Sequence, residues 1–168
     1  QEQIPPPEEQ EEVTWRDEER AAAEEFVELT ARGFVGREQI TGDLLAFARS
    51  SDDRRFACVT GEAGSGKSAL LAHVYRELEE TADDLLVLSH FVGVTPRSQS
   101  VDALLLRWIE ELAEFLGEDP PVEEGASADD IEEAFASLLG RAALETRVVA
   151  LLDALNQFEA STRGQHMT

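Results

Sequence analysis

Apolar residues along this chain recur at two spacings, and the switches between them outline its elements. From Thr14, the positions Ala22, Phe26 and Leu29 share a helical face, Thr14 and Asp17 form an N-terminal cap, and Gly33 can close the helix. Ile40, Leu44, Phe47 and Ala48 mark a short helix ending near Arg49. Arg55 to Thr60 is a short apolar run and predicts a strand; Leu70, Leu71, Val74, Tyr75 and Leu78 then resume a helical stripe. Leu85 to Val92 predicts a second strand, with a turn over Gly93-Val94-Thr95-Pro96. Ser100 caps a helix carrying Leu104, Leu105, Trp108, Ile109, Leu112 and Phe115, of which Trp108 and Phe115 read as core. After a loop over residues 117–127, a helix over 128–144 presents Ile131, Phe135, Leu138 and Leu139. Arg147 to Asp153 is an apolar strand ending on a carboxylate.

Strands alternating with helices predict an α/β fold, a parallel sheet covered on both faces in three α/β/α layers. The organisation read from the pattern is an acidic, proline-rich linker over 1–13, an N-terminal helix over 14–32, and the main domain over 33–168. A chain of 168 residues, 42% hydrophobic, holds one ordinary core.

Charge narrows the classes of partner. The formal net charge is -22, from 36 acidic and 14 basic residues, which opposes nucleic acid and anionic membrane surfaces. No stretch approaches the roughly 18 consecutive apolar residues of a membrane helix, and the N-terminus is unlike a secretory signal. Cys58 is the only cysteine; lying in an apolar run, it is expected to be buried and inert, which suits a reducing cytoplasm. The sole methionine is Met167, so the chain reads as a piece of something longer.

One segment carries specific chemistry. Gly61-Glu62-Ala63-Gly64-Ser65-Gly66-Lys67-Ser68 matches the phosphate-binding loop pattern in full, and Lys67 is the only lysine of the chain. The glycines permit a tight path that aims backbone N–H groups at phosphates, Lys67 would contact the β and γ phosphates, and Ser68 would ligate Mg²⁺. A chance match would arise in roughly one chain in two hundred of this length, and the strand before and helix after make coincidence rarer. Asp153, at a strand end, would hold the same metal through its water. The catalytic set is then Lys67, Asp153 and Asn156. Asn156 can orient a water but cannot take its proton, and Glu159 lies farther along, so hydrolysis is expected to be slow. His73, His90 and His166 fit no metal spacing and read as ordinary side chains.

Phe34-Val35-Gly36-Arg37-Glu38, the loop at 61–68, His90-Phe91-Val92-Gly93 with Thr95-Pro96, and Leu151-Leu152-Asp153-Ala154-Leu155-Asn156-Gln157 together resemble STAND-class P-loop NTPases. Within these the chain is similar to NACHT-type modules of nephrocystin-3-like and telomerase-associated proteins, over about residues 33 to 160. The resemblance implies that Val35 and Gly36 approach the adenine of ATP (or GTP). It also implies that Lys67, Ser68 and Asp153 hold the phosphates and Mg²⁺, and that nucleotide state controls self-association while C-terminal sensor repeats, expected beyond residue 168, receive the trigger. Asn156 stands where many such relatives carry a second acid. The resemblance further implies a strand between the loop strand and the Asp153 strand, then a fifth strand and a winged-helix module. The 168 residues are therefore expected to be an N-terminal fragment, truncated after the Asp153 strand. Two other classes use similar residues: a small-molecule phosphotransferase, and a degenerate interaction module that no longer binds nucleotide.

Overall fold

The computed structural model describes residues 14–50, 56–81 and 84–158, so the linker over 1–13, Glu159 and His166 lie outside the described residues. Helix α1 spans Trp15–Ala31, α2 Glu38–Arg49, α3 Lys67–Thr81, α4 Val101–Leu116 and α5 Ala128–Glu145. Strands β1 (Leu85–Phe91) and β2 (Arg147–Asp153) pair in parallel, in a register that sets Leu85 beside Arg147 and Phe91 beside Asp153.

Side-chain alternation along the strands divides the core into two faces. Leu86 and Leu88 of β1 and Val148 and Leu152 of β2 pack against α4 and α5, around Leu104, Ile109, Leu112, Ile131 and Leu138. Leu85, Val87, Val149 and Leu151 face the other way, onto Leu70, Val74 and Leu78 of α3 and Ala48 of α2. Two helical layers thus enclose a parallel sheet, as the alternation of patterns predicts. Arg147 fastens the strand start to α2 by donating to the Ala48 carbonyl at 2.5 Å, satisfying a carbonyl that the helix end leaves open. Helix α1 bridges the layers. Its Val27 and Ala31 pack on Ala72 of α3 and Phe91 of β1, while Arg16 pairs with Glu110 of α4 at 3.4 Å.

The helix signals behave as expected at most ends. Thr14 and Asp17 form a reciprocal capping box on α1, and Ser100 and Ser127 cap α4 and α5. Gly33 does not close α1. The helix ends at Ala31 with Arg32 right-handed and bonded back to the Glu28 carbonyl, leaving no left-handed cap for a glycine to fill.

Three expectations fail. Residues 56–60 form no strand, because a strand exists through its ladder and no described strand lies beside them. Val59 still packs on the α2–α3 cluster, but Phe56 is 84% exposed. Cys58 is exposed rather than buried, since the run that would have covered it is not sheathed in sheet. Phe115 is 40% exposed: it lies on α4 at the rim of a cleft between α1 and α4, whereas Trp108 is buried and donates to the Ser89 carbonyl. No helix among the described residues is long and apolar enough to cross a membrane.

Candidate functional site

The glycine loop leads directly into α3, whose first residues are Lys67 and Ser68. Gly64 (φ 74°) and Gly66 (φ 81°) are left-handed, so the path depends on residues without a Cβ. At Gly61 the constraint is contact instead: a Cβ there would lie 2.9 Å from the Ser65 hydroxyl. The loop closes on itself through the Ser65 N–H, which donates to the Glu62 carbonyl at 3.2 Å, and the Gly66 carbonyl accepts the first bond of α3 from Leu70. Lys67 folds back, its ammonium donating to the carbonyls of Gly61 and Glu62 at 2.9 Å each. A cation over the loop, beside the N–H groups that the first turn of a helix leaves without intrahelical partners, is an arrangement suited to an anion.

Asp153 ends β2. By alternation with Val149 and Leu151 its side chain emerges on the α3 face of the sheet, the face that carries the loop. It is buried, at 7% exposure. Lys67, Ser68 and Asp153 therefore all belong to one face. Asn156 lies beyond it, on an exposed 3-10 turn, Leu155–Gln157, which follows a left-handed Ala154. Val35 is 88% exposed, and Gly36 (φ 80°) has open space where a Cβ would be, so this backbone is accessible from outside.

The sequence reading missed Arg37 as a member of the site. Arg37 is itself left-handed (φ 63°) at the start of α2, and its guanidinium donates to the Ser65 carbonyl and lies alongside Gly66. Its position directly after Gly36 was the available signal. Arg37→Asn keeps a residue that tolerates the left-handed conformation and removes the guanidinium. Amide exchange at Ser65 and Gly66 should accelerate about tenfold with little change in global stability; unchanged exchange would show that the loop does not need this tether.

Of the histidines, His73 stacks on Phe34 at 4.7 Å with its Nδ1 buried and unpartnered. His90 is buried between the Ser98 carbonyl (2.8 Å from Nε2) and Arg107 (3.2 Å from Nδ1). Burial, and then the Arg107 charge, lower its pKa from the usual value to about 4, against the Ser98 bond, which acts to raise it. No cluster of three or more His, Cys, Asp or Glu suited to a metal occurs among the described residues.

Comparison with known proteins gives the family. The chain is 32% identical over 69 residues to a TPR repeat-containing protein of Dictyostelium discoideum, a match covering 41% of this chain and 4% of that protein. No solved structure matches it. The AAA ATPase domain family matches residues 33–165, a span that holds the loop, Lys67 and Asp153 and covers most of the chain. The chain belongs to the AAA ATPase domain family, and with it to the P-loop NTPases.

Proposed function

We propose that this domain is the nucleotide-operated switch of a larger signalling protein, of the STAND class and NACHT type, binding ATP with Mg²⁺ and hydrolysing it slowly. The observation that carries the reading is Lys67 held over a left-handed glycine loop at the α3 N-terminus, with the buried Asp153 on the same face of the sheet. Family membership implies a nucleotide and Mg²⁺, and the residues fit both. The loop N–H groups and Lys67 would take the phosphates, Ser68 and Asp153 the metal, and Val35 and Gly36 an adenine against their open backbone. Bound Mg²⁺ would neutralise phosphate charge.

The net charge of -22 does not oppose this. Salt screens charges beyond about 8 Å, while the loop donors act at contact distance. Slow turnover follows from the segment after Asp153, where the described residues offer Asn156 and Gln157 but no carboxylate to accept a proton from water. The proposal includes a sensor array elsewhere in a longer protein, of the kind the repeats in the Dictyostelium relative's name suggest, and control of self-association by nucleotide state. An exposed Cys58 as the one thiol suits a reducing compartment such as the cytoplasm.

The test is titration of the chain with a fluorescent ATP analogue, with and without Mg²⁺, followed by product analysis. Binding strengthened by Mg²⁺ and slow release of free phosphate are expected. A phosphorylated small molecule in place of free phosphate would make the domain a phosphotransferase, and no nucleotide uptake would make it an interaction module.

A further inference from the structure

The turn that carries Asn156 has little packing of its own. Ala154 (φ 55°) holds a left-handed conformation that alanine does not favour, Leu155 is 59% exposed, and the turn is closed by one bond from the Gln157 N–H to the Ala154 carbonyl at 2.8 Å. Two of its side chains lie against the end of β1. The Gln157 amide oxygen lies over Gly93 (φ 90°), within 2.6 Å of where a Cβ would be. The Phe158 ring runs parallel to the His90 imidazole in an offset stack, with centroids 5.7 Å apart and planes 6° from parallel.

His90 makes a rigid platform because both of its nitrogens are committed. Arg107 can only donate, so Nδ1 must accept and Nε2 must carry the hydrogen that the Ser98 carbonyl receives. Arg107 is itself buried and immobilised by Glu111 at 3.0 Å and by the Ser89 carbonyl. The imidazole therefore cannot rotate without breaking a buried bond.

We infer that His90 and Phe158 are positioning residues, whose ring stack sets the Ala154–Gln157 turn, and with it Asn156, relative to Asp153 and the nucleotide site. This rests on the proposed ATP-binding function for its consequence, though the stack and the turn exist without nucleotide. Volume alone at position 158 does not reproduce the contact, since the two rings run parallel in an offset stack.

Phe158→Leu keeps apolar volume without the ring, and Phe158→Tyr keeps the ring. In the nucleotide-free chain, exchange of the Gln157 amide should accelerate about tenfold in Phe158→Leu and stay within about twofold of the parent in Phe158→Tyr. With ATP and Mg²⁺, phosphate release should fall about tenfold in Phe158→Leu, with nucleotide affinity within about twofold. Equal exchange in Phe158→Leu and the parent, or equal losses in both variants, would overturn the positioning role. A parent chain that binds no nucleotide would instead defeat the functional reading, and the exchange comparison would still decide whether the stack holds the turn.

Discussion

Lys67→Ala is expected to weaken binding of ATP with Mg²⁺ by about ten- to a hundredfold while leaving the fold intact. The ammonium now bonds to the carbonyls of Gly61 and Glu62, two neutral acceptors at an accessible loop. Moving it to phosphate oxygens replaces those with charge-assisted bonds, each contributing about 1.5–3 kcal/mol, and this sets the predicted range. Lys67→Arg should not restore affinity, because a wide planar fork cannot occupy the position of a compact ammonium between two carbonyls. Calorimetric titration of the three proteins, with circular dichroism to verify folding, decides the matter. Affinity unchanged in Lys67→Ala would remove this lysine from the site.

The second large effect concerns acid stability. His90 titrates at about 4 in the folded chain against about 6.5 when unfolded. Below pH 6.5 the unfolded chain takes up a proton that the folded chain refuses, so stability falls from there to about pH 4 and then levels. The difference between the two values approaches about 3 kcal/mol. Glu79 and Glu111 act in the opposite sense, since burial raises their carboxyls and the folded state protonates first. Comparison with His90→Gln, which can still donate to Ser98 and accept from Arg107, isolates the histidine. Urea unfolding at pH 7 and pH 4.5 should show the parent losing about 2–3 kcal/mol more than the variant; parallel losses would show that His90 protonates readily in the folded chain.

Much of the scaffold is written locally. Caps at Thr14, Ser100 and Ser127 and the apolar stripes of α3, α4 and α5 depend on residues three or four apart, and the helices follow them closely. The β1 and β2 runs are apolar on both faces because helices cover both. Residues 56–60 carry a similar run, yet its structure depends on a neighbour, which no local pattern specifies. The same holds within the site. Lys67 and Ser68 are legible from their spacing, and Asp153 from its place at a strand end. The Arg37 contact with Ser65 and the Phe158 stack on His90 join segments 28 and 68 residues apart, and only the packed chain reveals them.

Helix α1 covers part of the loop helix. It precedes the family match at residue 33, yet Val27 and Ala31 press on Ala72 of the loop helix, and Phe26 lies 5.1 Å from Phe91 at the end of β1. Between α1 and the glycine loop run Phe34, stacked on His73, and Arg37, bonded to Ser65. Tension applied from the N-terminal side must therefore peel α1 from α3 before it reaches the phosphate loop. A protein trimmed to the family boundary at residue 33 would expose the apolar Ala72 and Phe91 that α1 now covers.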